Sequence, residues 1–464
     1  MPPYFTNDAV TLGILIVILA IIFKTAASAN DGLKKFYKYV PALLLCYFIP
    51  ALFHWPLGLI APHWYDTSII EAMRDAGMAI PNDMSSYSYE SMQKFIIENG
   101  SDTSDFSSYE RHSQLYFMAS RYLLPASLIL LCLSIDLKGI VRLGPKSLIM
   151  FFAATLGIVI GGPIALMIAL QFFPNLFAAS PEEVWRGLST VAGSWIGGGA
   201  NQTAMKEIYE VPDNLFASMI VVDVIVANIW MGFLLYGAGI TDKVDRWLKA
   251  DSSAIEDLKH RIQDYRGKIE RIPTSTDVFM LLAIGFGGVA LAHWGSDVIS
   301  PWMRGFKEQL ASMNLHSLMS GFFWLIVIST TVGVALSFTK LRQLEGVGAS
   351  RMGSVFIYIL VATIGMKMNL AEIGPNLGLF VIGLIWMLVH VIILLVTAKI
   401  IKAPFFFVAV GSQANVGGAA SAPIVASAFS PALAPVGVLM AVVGYALGTY
   451  GAIICAMLMQ GVAQ

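Results

Sequence analysis

Two glycine-centred stretches hold the residue types that could bind a small polar solute or a hard cation. The first reads Trp195-Ile196-Gly197-Gly198-Gly199-Ala200-Asn201-Gln202. The second reads Gln413-Ala414-Asn415-Val416-Gly417-Gly418-Ala419-Ala420-Ser421. Glycine lets helix arms approach closely and frees backbone carbonyls and amides at a helix break. Carbonyl and side-chain amide oxygens suit Na+, and amides at a helix start suit a carboxylate. The solute-binding candidates are therefore Gly197, Gly198, Gly199, Asn201, Gln202, Gln413, Asn415, Gly417, Gly418 and Ser421. The competing explanation is small-residue helix packing. One such stretch would fit packing; two, each with amides at a break, favour a site.

Asp223 is the sharpest single candidate, in the middle of Ile220-Val221-Val222-Asp223-Val224-Ile225-Val226. An ionisable group in an apolar span is costly unless solvated, paired or protonated. With no Lys or Arg nearby in its span, the carboxylate suits Na+ or H+. The alternative is a protonated aspartate bonded to a neighbouring helix. Asn228 joins it as a second cation-coupling candidate or as interhelical glue. Ser194, Thr203, Ser412, His390 and Trp195 are weaker candidates, each as readily explained by packing or by a bond to the backbone one turn back. His54, His63, His112, His260, His293 and His316 show no metal-ligand spacing.

These groups sit among apolar helices. The 464 residues are 57% hydrophobic and 13% charged, with a net charge of -1. That composition fits a polytopic helical membrane protein and excludes a nucleic-acid partner. Cys46, Cys132 and Cys455 are isolated in apolar runs and form neither a disulfide framework nor a metal site. Apolar spans are expected at 9–29, 39–61, 115–135, 146–172, 213–240, 276–295, 318–339, 353–369, 376–400 and 432–459. The first has no basic segment before it and reads as a retained span.

Basic loops stay on the cytoplasmic side. Lys24, Lys34, Lys35 and Lys38 place the first loop inside, as do Lys138, Arg142 and Lys146 for theirs. The segment 62–114, with nine acids and three bases, is then external, and 241–275, with eight Lys or Arg, is internal. An even number of crossings must separate Lys146 from 241–275, and the spans 146–172 and 213–240 supply two. The first glycine stretch (186–210) should therefore dip in and return, and the second (403–430) should do so from the other face. The expected fold is all-α, two inverted repeats of five spans, each with a re-entrant or broken glycine-rich element. Two complete broken spans would make the halves parallel and break the charge rule. The layout is 1–61, two spans; 62–114, the external insert; 115–240, the first repeat; 241–275, a cytoplasmic amphipathic segment; and 276–464, the second repeat. Within 255–272 a short seam of Ile255, Leu258, Ile262, Tyr265, Ile269 and Ile272 would suit a homodimer or the chain's own surface.

Several motifs resemble one family. They are Leu124-Pro125 with Asp136-Leu137, Ile196 to Asn201, Asp223, Leu344-Glu345-Gly346-Val347-Gly348-Ala349-Ser350-Arg351, and the second glycine stretch through Gly444-Tyr445-Ala446-Leu447-Gly448. They resemble the YjcL-like family of uncharacterised bacterial membrane proteins. That family looks distantly similar to the cation:proton antiporter and anion transporter superfamily, which includes sodium:glutamate and sodium:hydroxycarboxylate symporters. Ala419 departs from the proline expected there. The resemblance implies a secondary transporter of the bacterial inner membrane with an elevator-like core. The expected cargo is a small polar organic solute, such as an organic anion or amino acid, coupled to Na+ or H+, with no cofactor. An ion-only Na+/H+ exchanger is the alternative. No Ser/Lys pair, aspartate dyad, zinc set or P-loop is present to suggest an enzyme or ATPase.

Overall fold

The computed structural model describes residues 2–40, 42–81, 84, 87, 89–135, 143–173, 180–250, 272–312, 316–368, 378–430 and 433–463. The seam at 255–271 lies outside them, as do Asp136-Leu137, Lys138, Arg142, Asn369-Leu370 and Gly374-Pro375. The chain divides into two compact units, Met1–Arg121 with Tyr358–Ala371, and Tyr122–Ile357 with Glu372–Gln464.

The first unit opens with α1 (Asp8–Ala26), whose N-cap Asn7 accepts from the Ala9 and Val10 amides. Val17 and Ile21 on this helix are exposed, as suits a lipid-facing surface. After α2 (Asp31–Tyr39) comes α3 (Ala42–His54). The apolar run 39–61 is thus not one full span. Its helix has 13 residues, or about 20 Å against a ~30 Å core. Trp55-Pro56 and Gly58, at φ +60°, turn the chain where the hydropathy continues. Apolarity persists through this run, but proline and glycine end the helix.

The 62–114 insert folds around its own core. Strands β1 (His63–Tyr65) and β2 (Glu110–His112) pair antiparallel, with His63 opposite His112. This small ribbon is an addition to the expected all-α architecture. Helices α4 (Ile69–Asp75) and α5 (Tyr89–Glu98) help enclose Tyr65, Ile69, Met73, Met92, Ile96 and Phe106. Asp8 accepts from Ser113 Oγ at 2.6 Å and from the Gln114 amide at 2.9 Å, which fastens the insert's end to the first turn of α1. Asp66 and Asp102 cap turns, and the backbone N–H groups of Ser68 and Ser104 hold their carboxyls below the usual range.

The remaining helices are α6 (Leu115–Leu133), α7 (Pro145–Phe172), α8 (Pro181–Gly197), α9 (Gly199–Ile208), α10 (Asp213–Gly239) and α11 (Thr241–Leu248). They continue with α12 (Ser275–Arg304), α13 (Lys307–Ser312), α14 (Gly321–Ser337), α15 (Ala349–Lys367) and α16 (Leu379–Ile401). The chain ends with α17 (Phe405–Val416), α18 (Gly418–Phe429) and α19 (Ala434–Ala463). Ten crossings were expected. Among the described residues eight helices are long and apolar enough to span, or nine if α14 and the turn after it, bent by 97°, count as one. The shortfall falls on α3 and α14, whose apolar runs exceed their helices.

In the second unit α7 and α16 cross closely through small residues. A Cβ on Gly161 would lie 2.7 Å from the Trp386 ring, and one on Gly157 would lie 3.1 Å from His390 Nδ1. Close packing of this kind replaces the hydrophobic drive that lipid removes.

Met92 is fully buried in the insert. Met92→Ala should cost about 2–5 kcal/mol, read as faster limited proteolysis within 62–114 while the spans stay protected. Unchanged cleavage would show that the insert has no cooperative core.

Candidate functional site

The first glycine stretch is the tip of a helical hairpin. Ser180 and Glu183 form a reciprocal capping box, and Pro181 opens α8. The helix breaks at Gly198, whose φ is +78°, a conformation that disfavours side chains. The chain then folds back through α9. Trp185, near the start of α8, lies 5.3 Å from Tyr209, just beyond the end of α9. A straight helix would separate them by about 36 Å. The arms meet so closely that a Cβ on Gly193 would lie 2.6 Å from the Asn201 carbonyl.

The second stretch repeats this design. Helices α17 and α18 meet at Gly417 and Gly418, and Gly418 has φ +57°. Phe429, at the end of α18, packs 6.0 Å from Phe405 and 5.4 Å from Phe406, at the start of α17. One offset of 220 residues relates Trp185 to Phe405, Tyr209 to Phe429 and Gly198 to Gly418. It also relates Gly197 to Gly417 and Asn201 to Ser421. A Cβ on Gly197 would collide with Asn201 Nδ2, and one on Gly417 would collide with Ser421 Oγ. In each hairpin a polar side chain from the outgoing arm therefore lies over the glycine that precedes the break. The observed bounds, 181–208 and 405–429, are close to the expected 186–210 and 403–430.

The tips meet the same helix. A Cβ on Gly444 of α19 would collide with the Ile196 carbonyl of the first tip and lie 3.7 Å from the Ala414 carbonyl of the second. Asn201 Nδ2 donates to the Tyr445 carbonyl at 3.0 Å and to the Gly197 carbonyl at 3.1 Å. Its Oδ1 accepts from Thr449 Oγ1 at 2.6 Å, and Thr449 in turn bonds Thr330.

Asp223 is buried, and both carboxylate oxygens are engaged. Oδ1 accepts from Trp195 Nε1 at 2.7 Å. Oδ2 accepts from Ser194 Oγ at 2.6 Å and Gln202 Nε2 at 3.0 Å. Ser194 and Trp195 belong to the incoming arm and Gln202 to the outgoing one. The carboxylate thus ties both arms to α10 across the break. The donors replace the hydration that the carboxylate loses on burial. Asn228 is not part of this cluster; its Nδ2 donates to the Val224 carbonyl one turn back at 2.7 Å. Thr203 likewise bonds the Gly199 carbonyl.

The second hairpin is held differently. Asn415 Nδ2 reaches the Phe151 carbonyl of α7 and its Oδ1 accepts from Thr155 at 2.8 Å. Ser412 Oγ accepts from Trp230 Nε1 and lies 2.8 Å from His390 Nε2. His390 Nδ1 faces the Ala154 carbonyl at 3.1 Å. Because a carbonyl only accepts, Nδ1 carries the proton, and in the neutral imidazole Nε2 accepts from Ser412. Gln413 Nε2 donates to Ser421 Oγ at 2.7 Å across Gly417. At the foot, Asp245 of α11 accepts from the Phe405 amide at 2.7 Å, which caps a helix that Pro404 leaves without a side-chain cap. Burial pushes the Asp245 carboxyl above its usual range.

Every candidate at the tips therefore lies at one of the two breaks. The sequence reading missed Thr155, Trp230, Trp386 and Thr449. Each is a polar or indole group inside an apolar span, which is the signal that marked Asp223, but without its charge.

Fold and site together define a multi-span helical membrane protein whose interior holds two glycine-broken helical hairpins. The chain belongs to the family described as a protein of unknown function, DUF819, whose model matches residues 104–462. It is 23% identical over 341 residues to the uncharacterized membrane protein YjcL of Bacillus subtilis strain 168, covering 73% of this chain and 82% of that protein. Both hairpins lie within the family match, while most of the insert precedes it.

Asp223→Asn would turn an amide N–H2 toward one of three donors, leaving a buried mismatch of about 1–3 kcal/mol. The expected result is a lower unfolding midpoint in detergent and faster proteolysis near Gly198. An unchanged midpoint would mean that the carboxylate does not hold the hairpin.

Proposed function

We propose that this protein is a secondary active transporter that moves a small polar organic solute, an organic anion or an amino acid, coupled to Na+ or H+. The observation that carries this reading is the pair of matched hairpins, which bring the Ile196 carbonyl of one and the Ala414 carbonyl of the other to Gly444. Non-helical backbone at membrane depth persists where it is buried in protein or lines a cavity. Paired broken helices in corresponding positions of two halves mark solute sites in many transporters. The halves correspond as α7, first hairpin and α10 against α16, second hairpin and α19. We read them as inverted repeats, with each hairpin re-entrant from an opposite face. Polar groups at both tips support solute binding where they meet, and alternating access would follow from an elevator-like movement of the hairpin-bearing core.

No cofactor or catalytic function enters this reading. We place the protein in the bacterial inner membrane, where the distant symporter resemblance also belongs. A homodimer is part of the proposal; the seam at 255–272 that suggests it lies outside the described residues up to Ile272. In this reading Asp223 acts in cation coupling, linked to the first hairpin through its bonds from Ser194, Trp195 and Gln202.

Reconstituted protein should accumulate one labelled solute class from a panel of organic acids and amino acids under an inward Na+ or H+ gradient. Gly417→Val should reduce accumulation at least tenfold, because a side chain there collides with Gln413 and Ser421. Na+ movement driven by a pH gradient without any solute would favour the exchanger. No flux under either gradient would refute transport.

Sidedness is tested separately with Ser180→Cys and Ser430→Cys, at the two hairpin feet. The native Cys46, Cys132 and Cys455 are buried and should stay silent. Opposed re-entrance requires membrane-impermeant labelling from opposite faces. Labelling of both from one face would overturn it.

A further inference from the structure

The two tips differ in one respect. At the first, the amide of Asn201 is bonded at both ends and Gln202 Nε2 is held by Asp223. At the second, Gln413 is 2% exposed, its Nε2 is taken by Ser421, and its Oε1 has no hydrogen-bond partner. A buried carbonyl oxygen without a donor is costly, and native structures keep few of them. This one lies where α17 ends, beside the glycine that only a bare backbone can fill. The last carbonyls of a helix are released from its own ladder and carry the negative end of its dipole. The start of α18 lies next to it, with no side chain capping its first amides.

We infer that the tip of the second hairpin binds a positive centre, taken by Gln413 Oε1 with the end of α17. Two sources share this chemistry: a dehydrated alkali cation, or the ammonium group of a zwitterionic solute whose carboxylate meets the start of α18. Gln413 is fixed for this task by its bond to Ser421, which sets the direction of Oε1. Gly417 is required because any side chain would occupy the space of that bond. The first hairpin, with Asn201 bonded to α19 and Gln202 Nε2 to Asp223 of α10, is held fixed within the same core. This deepens the transport reading and rests on it for the use of the bound centre. Binding itself is measured without transport.

The test uses purified full-length protein in choline chloride, with the unfolding midpoint followed by tryptophan fluorescence. One arm titrates NaCl, with KCl as comparison. The other adds α-amino acids without Na+. The wild type should be stabilised in a saturable way in one arm, which identifies the source. Gln413→Leu should weaken the response at least about tenfold, the loss expected for a hydrogen bond or ligand to a charged group. Gln413→Glu should tighten it several-fold, because a carboxylate attracts a positive centre more strongly than an amide.

That second variant also decides the orientation of the amide. If the open end were an N–H donor, glutamate would weaken binding, and the inference would fail. It fails too if the wild type responds in neither arm, or if Gln413→Leu responds as the wild type does. Should Gln413→Leu not fold, Gln413→Glu alone carries the decision. Binding with this pattern but without flux would remove transport and leave the site standing.

Discussion

One buried carboxylate holds the first hairpin together. A helix broken inside an apolar environment loses backbone bonds on both sides of the break, and it persists only if other groups hold its arms. Asp223 does so by accepting from Ser194, Trp195 and Gln202, which stand on both sides of Gly198. Asn201 then fastens the same tip to α19. At the base, the Trp185 and Tyr209 rings close the arms by an edge-to-face contact. The hairpin is thus held at its foot by packing and at its tip by polar bonds.

The second hairpin has the same foot and a different tip. Phe405, Phe406 and Phe429 repeat the aromatic closure. Its polar contacts run to α7 through Asn415 and to α10 and α16 through Ser412. No carboxylate spans its break among the described residues. Gln413 and Ser421 bridge the arms, and the bridge has an unused oxygen. The two hairpins therefore differ at their tips, one fully bonded through Asp223 and Asn201 and the other with an open polar end. His390 takes its place in this network as a bridge between α7 and Ser412.

The insert is a separate physical problem. Its methionine-rich core and two-stranded ribbon are built from the insert's own residues, and most of it precedes the family match at 104–462. Its composition marked it as polar and acidic, but the spacing of Met73, Met84 and Met92 shows no periodicity that announces a core. His63 and His112 are far apart in sequence, and only the strand register sets them opposite one another.

Much of the membrane architecture was legible because apolar length and glycine are local properties. Long apolar runs must become helices where no water can satisfy the backbone, and the positions of α7, α10, α16 and α19 follow from that. The two breaks were equally legible, since consecutive glycines between amides suit neither lipid nor a regular helix. Helix ends were less so: 39–61 is apolar throughout, yet Pro56 and Gly58 turn the chain and leave α3 with 13 residues. By itself the sequence determined that two polar breaks stand inside a helical bundle, and that Asp223 must find partners there. Only the tertiary structure decided who those partners are, because hydrogen-bond geometry depends on distances between helices that local pattern does not encode. It put three neutral donors on Asp223, where the sequence leaves a cation site and a bond to a neighbouring helix both open, and left the open oxygen on Gln413.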